Sequence, residues 1–398
     1  MTLWHLDTLT LGLLGKPGVI FYVYKNAKIS NMNVLMISTD RNIFKKDSAV
    51  RVRMIEYGKL FDDLDIIIFA KNKVKHATEK ISDNTTIYST NSFSKLTYIR
   101  NAIKIGKKMS GNKIDIVTTQ DPFETGLAGQ KLSKIFNAKL HVQIHTDFLN
   151  ENFVKHSFLN KIRVDIAKSI LPKADGIRVV SERIKRSLEV FDLKKGLEIK
   201  VLPIFVEADK FLNTTKANKF TEFDKTILTV SRLESEKKVD LLIDAFSEVL
   251  KKFPNTGLII VGDGNLKESL ISKAEKLGIS KNVIFVGSVS NIEEYYAGAE
   301  IYIQTSEYEG FGLALFEAAL SGLPIISSDV GLVGDILKDN ESLLVTELSK
   351  EGISRNIEKL FEDEVLSREL SSIAKSKAFQ NSISKEEYLR KYKESLNL

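Results

Sequence analysis

EYEGFGLALFE, residues 307–317, sets two glutamates, Glu309 and Glu317, eight positions apart around the glycines Gly310 and Gly312. The segment before it, AEIYIQTS (299–306), alternates apolar and polar residues as a strand does, and LALFEAALSG (313–322) carries helix formers with Gly322 as their stop. Gly310 and Gly312 therefore fall in a strand-to-helix turn. Glycines there let a backbone approach closely, and the first amides of the helix lack intrahelical acceptors, so the turn suits an anion such as a diphosphate. Glu317, more than a turn into the helix, is expected to face neutral hydroxyls, a ribose being the obvious candidate. Glu309, ahead of the helix, suits the hydroxyls of a sugar on that diphosphate or positive charge developing at its anomeric carbon. The spacing alone is equally compatible with acidic residues that only stabilise a first helical turn.

Two further stretches end strands in what reads as the same sheet. In TILTVSRLESEKK (226–238), Arg232 and Lys237 follow a buried strand and precede the helical DLLIDAFSEVLKKF. A planar guanidinium and a compact ammonium together can neutralise a leaving diphosphate without a metal; a solvated basic loop is the plainer reading. GLIIVGDGNLKESL (257–270) ends a strand in Gly262, Asp263 and Gly264, but Lys267 stands where a dinucleotide fingerprint has its third glycine.

The order SRLxxxKK, VGDG, FVGSV, EGFGLALFE and then DVGLVGD (329–335) closely resembles the retaining GT-B glycosyltransferases, specifically glycosyltransferase family 4, over nearly the whole chain. The resemblance implies an α/β fold of GT-B type, two Rossmann-like domains with parallel sheets facing a central cleft. It also implies a hexosyltransferase that moves sugar from a nucleotide-diphosphate donor to a hydroxyl. By it, Arg232 and Lys237 hold the donor diphosphate, Glu317 its ribose and Glu309 the transferred sugar. Backbone around Gly310, Phe311, Gly312 and Leu313 binds sugar hydroxyls and phosphate, and Gly262, Gly264 and the turn after Val286 lie near the base. The family's front-face displacement lets the leaving phosphate take the acceptor proton, so neither a strong side-chain base nor a metal is expected. A glycosidase would instead need two carboxyl groups roughly 5 Å apart across the sugar. His145, ending the strand in HVQIHTDFLNENF (141–153), is by itself an ordinary packing or surface histidine; the family position makes it a contact of the donor sugar, with Asp147 close by. TTQDPFETG (118–126) resembles another cleft loop, with Asp121 as its candidate and Thr125 explicable as a cap.

The chain departs from the family in two places. Leu332 stands where many members have a second glycine and Asp335 where glutamate is common; and the loop after VLMIST contains no glycine, leaving Ser48 and Ala49 as the small residues where the family has a glycine-rich phosphate or acceptor loop. Ser48 is equally an N-cap.

With 398 residues, 43% of them hydrophobic, the chain can bury two substantial cores. Apolar strand-length runs alternate with amphipathic segments through VLMIST, DIIIFA, TTIYS, IDIVTTQ, KLHVQIH and GIRVVS, which predicts parallel sheets covered on both faces. The expected division is an extension over 1–31, disordered or a product of start-codon choice, an acceptor-binding domain over 32–205, a nucleotide-sugar-binding domain over 206–380, and a final helix over 381–398 that crosses back to the first domain. The stretch LPIFVEADKFLNTTKANKFTEF (202–223) reads as the linker.

Lys and Arg total 58 against 52 acidic residues. Positive charge concentrates in LNKIRVDIAKSILPK (159–173) and SERIKRSLEVFDLKK (181–195), two basic amphipathic candidates that suit anionic lipid headgroups or are plain solvated faces. No aromatic platform or zinc spacing points to nucleic acid. The absence of cysteine excludes thiolate metal sites and thiol nucleophiles and is compatible with the cytoplasm. The expected partners are a UDP- or GDP-sugar, a glycan or lipid-linked acceptor as in polysaccharide biosynthesis, and a peripheral contact with the inner face of the plasma membrane; no cofactor is expected. A sugar-nucleotide epimerase and a non-catalytic nucleotide-sugar-binding subunit are the alternative functions.

Overall fold

The computed structural model describes residues 32–72, 77–109, 111–214 and 219–398; the expectation for residues 1–31 lies outside them. The chain builds two α/β halves. The first half contains strands β1 (Asn33–Ser38), β2 (Asp63–Ile68), β3 (Thr78–Ser82), β4 (Thr85–Ser89), β5 (Ile116–Thr119), β6 (Lys139–Ile144), β7 (Gly176–Val179) and β8 (Ile199–Val201). Its helices are α1 (Ala49–Gly58), α2 (Tyr98–Lys108), α3 (Glu124–Phe136), α4 (Glu151–His156), α5 (Phe158–Ile170) and α6 (Glu182–Ser187). After α7 (Ala208–Leu212), the second half runs β9 (Lys225–Val230), α8 (Val239–Lys252), β10 (Thr256–Val261), α9 (Lys267–Lys276), β11 (Val283–Gly287), α10 (Ile292–Ala297), β12 (Ile301–Gln304), α11 (Leu313–Ser321), β13 (Ile325–Ser327) and β14 (Leu344–Val345). Helices α12 (Lys350–Glu362), α13 (Glu364–Gln380) and α14 (Lys385–Ser395) close the chain.

The first sheet has eight strands in the order β3-β4-β2-β1-β5-β6-β7-β8, the second six in the order β11-β10-β9-β12-β13-β14. Every pairing is parallel except β3 with β4, an antiparallel edge that the alternating pattern does not foretell. Along β1, Val34 and Met36 enter one core while Leu35 and Ile37 enter another. Successive side chains point to opposite faces of a strand, so continuous apolar runs belong in sheets covered on both sides. The second sheet does the same, with Ile227 on one face and Leu228 on the other.

Strand order reverses between β1 and β5 in the first sheet and between β9 and β12 in the second. In open parallel sheets the crevice beyond the strand ends at such a reversal is where ligands sit. The linker stretch is less irregular than its composition suggests, because α7 forms within it. The last helix returns to the first sheet: Tyr392 stacks on Tyr57 with ring centroids 4.1 Å apart, and the Tyr57 and Tyr388 hydroxyls lie 2.9 Å apart.

Candidate functional site

At the reversal between β9 and β12, two loops are knitted together. Lys237 follows β9 in a short 3-10 turn and is only 8% exposed. Its Nζ donates to Glu309 Oε1 at 2.6 Å, and Ser306 Oγ donates to the same oxygen at 2.8 Å. Thr305 Oγ1 holds the carbonyl of Lys237, and the amide of Glu307 donates to the carbonyl of Glu236. Arg232 differs from Lys237 in freedom: Nη2 touches Glu236 at 2.8 Å, but the side chain is 71% exposed, which leaves most of its donors open.

Helix α11 begins at Gly312, whose φ of 90° lies in the left-handed region, and no side chain caps it. Its first amides therefore open toward the space beside Glu309. Gly310 is required for another reason. A Cβ there would lie 2.0 Å from the carbonyl oxygen of His145, so the turn of the second sheet touches the end of β6 in the first. Ser181 Oγ also donates to the carbonyl of Gly310 at 2.9 Å. Glu317 receives the Tyr296 hydroxyl at 2.9 Å and has no cationic partner among the described residues; burial raises its pKa to about 7, with the Tyr296 bond acting against the shift and the charge of Glu293 adding to it.

The base-side residues expected from the sequence line the same sheet edge. Gly262, with φ of 135°, packs where a Cβ would sit 1.8 Å from the carbonyl of Ser231. Gly264 packs where a Cβ would sit 2.4 Å from the carbonyl of Leu233, and Val286 is half-buried near the end of β11. Because β11, β10, β9 and β12 are consecutive in space, Val286, Gly262 and Gly264, Arg232 and Lys237, and Glu309 to Glu317 form one row.

Across from this row, His145 is half-buried at the end of β6; withdrawal from water, together with the charges of Arg178 and Arg53, brings its pKa down to about 3, so its ring is neutral. His145 borders a cavity of about 1160 Å³ whose wall also includes Ala49 and Arg53 of α1, Gln120, Phe205 and Tyr388. Other residues singled out in this half serve the backbone. Ser48 Oγ accepts from the amide of Arg51, and Asp121 Oδ1 accepts from the amides of Phe123 and Thr125 at the start of α3. Burial nonetheless lifts Asp121 to a pKa of about 6. Asp147 is buried, and desolvation raises its pKa against the opposing charge of Arg183.

Sequence reading missed the arginines that join the two halves. Arg183, at the start of α6, donates Nε to the carbonyl of Gly331 at 3.3 Å and Nη2 to that of Val333 at 2.7 Å, and pairs with Asp329. Asp335 accepts the Arg183 amide at 2.9 Å and pairs with Arg186 at 2.7 Å. Asp335 thus holds an amide in the first turn of α6, whose N-cap is Ser181. Arg178, buried in β7, binds the carbonyls of Leu202 and Pro203, Gln143 and the Tyr388 hydroxyl. A charged residue inside the apolar run GIRVVS was the only signal for it.

Residues 212–377 match the model of the family described as Glycosyl transferases group 1. Solved structures of the same architecture include sucrose-phosphate synthase from Thermosynechococcus elongatus, at a TM-score of 0.75 and 17% identity over 91% of this chain and 98% of that one. Anabaena HepE in complex with UDP and glucose follows at a TM-score of 0.72 and 19% identity, over 92% and 99%. The fold is GT-B. In sequence, the chain is 29% identical over 255 residues to the alpha-monoglucosyldiacylglycerol synthase of Streptococcus pneumoniae, covering 60% of this chain and 56% of that protein. It is 30% identical over 212 residues to the UDP-N-acetylglucosamine--peptide N-acetylglucosaminyltransferase GtfA subunit of Streptococcus gordonii, covering 52% and 40%. The chain therefore spans about half the length of these relatives. Among the described residues, no group of three or more His, Cys, Asp or Glu is placed to hold a metal ion.

Proposed function

We propose that this protein is a retaining glycosyltransferase of family 4 that moves a hexose from a UDP-linked donor to a hydroxyl of a glycan or lipid-linked acceptor. The observation that carries the reading is the Lys237–Glu309 pair at the reversal of the second sheet, beside the uncapped start of α11, whose Gly310 turn packs against the backbone of His145. Residues 206–380 bind the donor and residues 32–205 the acceptor, with the 1160 Å³ cavity as the acceptor's approach. The name of the pneumococcal relative and the UDP and glucose bound to HepE support the choice of nucleotide and of acceptor class.

In this reading Arg232 and the amides of Phe311, Gly312 and Leu313 take the diphosphate, and Lys237 bridges it to Glu309. Fixed donors aimed at a leaving anion stabilise the transition state without reorganisation. Glu309 receives sugar hydroxyls and faces the positive charge at the anomeric carbon as its bond to the phosphate oxygen breaks. The acceptor hydroxyl enters on the same face, its oxygen bonds to that carbon, and its proton passes to the departing phosphate. His145 offers a neutral imidazole to the sugar, and Glu317 receives the ribose. Arg232 and Lys237 do the work of a metal, so activity is expected to persist in EDTA. The enzyme works at the cytoplasmic face of the membrane as a peripheral protein. None of the described helices is long and apolar enough to cross one.

The test is proton NMR of the product formed from UDP-α-hexoses and lipid or glycan hydroxyl acceptors. An α-linked product, lost by on the order of 10²-fold or more in Glu309→Ala, is expected. A β-linked product, or full turnover by that variant, would refute the mechanism.

A further inference from the structure

The 1160 Å³ cavity beside His145 differs in charge between its inside and its rim. Its buried wall contains Arg178, Gln143, Tyr57, Tyr388 and Tyr392, and no carboxylate. Arg178 is 2% exposed, yet its partners among the described residues are all neutral. They are the carbonyls of Leu202 and Pro203, Gln143 Oε1 at 2.8 Å, the Tyr388 hydroxyl at 3.2 Å and the ring of Tyr392, whose centroid lies 5.4 Å from Arg178 Cζ. A charge withdrawn from water without a counter-charge is unfavourable, and an anion brought close to it relieves that penalty.

A second arginine of the same wall lacks a counter-charge. Arg51 of α1 is tied to Glu79 at 2.6 Å, whereas Arg53 is exposed at the cavity and has neither an ion pair nor a hydrogen bond among the described residues. Arg53 and Arg178 converge, since both charges act on His145 and no carboxylate opposes them there. The wall's other cations are taken, Lys210 by Glu207 at 2.8 Å and Lys385 by Glu56 at 3.3 Å. Three carboxylates of the wall, Asp47, Asp209 and Glu386, have no cationic partner among the described residues. All three are exposed and stand at helix starts, Asp47 just ahead of the cap of α1 and the others in the first turns of α7 and α14, where the helix dipole favours them. Water screens exposed charges of this kind far more than it screens a buried guanidinium. His145 links this cavity to the donor side, because its carbonyl packs against the Gly310 turn and the residue borders the cavity.

We infer that the acceptor carries an oxyanion, a phosphate ester or a carboxylate, close to the hydroxyl that receives the sugar, and that Arg53 binds this group while Arg178 supplies a fixed positive field behind it. A planar guanidinium fork matches either oxyanion, and an arginine without a competing carboxylate keeps its donors for the ligand. The inference names the acceptor class of the proposed function and rests on that reading.

The test measures transfer from UDP-α-hexoses by the full chain to matched acceptors: glycerol, glycerate and sn-glycerol 3-phosphate on one skeleton, and diacylglycerol against phosphatidylglycerol in detergent micelles. An anionic member should exceed its neutral counterpart in kcat/KM on the order of tenfold or more, and Arg53→Gln should erase that ratio chiefly by raising KM for the anionic member. Arg53→Lys should restore part of it. The member preferred tells a carboxylate from a phosphate, and a soluble phosphate from a lipid one. Arg53 is exposed, so the unfolding midpoint and the affinity for UDP should stay those of the parent in both variants. Neutral acceptors that match the anionic ones throughout, or a preference that Arg53→Gln keeps, would overturn the inference. Should no acceptor be used, calorimetry with glycerate and sn-glycerol 3-phosphate decides. Binding of either that Arg53→Gln loses supports the inference, and no binding, or binding that the variant keeps, overturns it. Failure of UDP to bind would count against the donor site instead, and the anion titration would still read this one.

Discussion

The helices that start at the cleft do so differently in the two halves. On the first sheet, α1 begins with Ser48 on the amide of Arg51 and α6 with Ser181 on the amide of Ile184. Asp121 accepts the amides of Phe123 and Thr125 ahead of α3, and α2 alone of these starts with no side-chain partner. On the second sheet, α8, α9 and α11 begin without any side-chain cap, at Lys238, Leu266 and Gly312. A capped start has given up part of its capacity for an anion, whereas an uncapped one keeps both the free amides and the positive end of the helix dipole. The contrast supports the proposed division of labour, in which the second half takes a diphosphate and the first a hydroxyl acceptor, although both are parallel sheets with a strand reversal.

The strongest way to break this contrast is to cap the uncapped helix. Gly312→Asp, at a φ that aspartate tolerates better than most residues, places a carboxylate over the α11 amides. UDP affinity measured by calorimetry should fall on the order of 10²-fold while the fold is retained; unchanged affinity would mean that these amides do not hold the phosphate.

A middle-sized effect concerns Glu317. If its carboxylate receives the ribose, binding favours the ionised form of a group whose pKa stands near 7, and so releases a proton. Affinity should rise with pH up to about 7 and level off above it. Calorimetry in buffers of different ionisation heat reads the proton directly, and Glu317→Gln should abolish both the proton release and the slope. In the absence of nucleotide the sign reverses for stability. The unfolded chain loses this proton first, so stability should fall as pH rises from the ordinary carboxylate range to about 7.

The smallest effect sharpens the other side. Ser48→Ala should lower stability by about 1 kcal/mol in denaturant titrations. Since its hydroxyl already serves the amide of Arg51, UDP affinity should not change. A loss of affinity without loss of stability would make Ser48 a ligand contact after all.

The same contrast governs what the sequence made legible. The row from Val286 to Glu317 could be read because a glycine at φ of 90°, a lysine after a buried strand and a glutamate pair are residues that local structure alone seldom requires in that combination. Ser48 and Asp121 were harder, since a cleft ligand and a helix cap call for the same short polar side chains. The role of Asp335 could not be read from its glycine-rich loop, because its partners Arg183 and Arg186 lie some 150 positions earlier. Arg178 escaped because it binds the carbonyls of Leu202 and Pro203 and Gln143, groups that no local pattern brings together. The antiparallel β3 was missed for a simpler reason: its burial is shallow, and TEKIS carries little apolar pattern.

The measurement that bears most directly on the account is calorimetric titration of UDP into the full chain in EDTA, alongside Arg232→Ala and Lys237→Ala. Binding should need no divalent metal and weaken on the order of tenfold or more in each variant, since charge-assisted bonds to the diphosphate are lost. Binding that appears only with added magnesium, or that both variants retain in full, would contradict it.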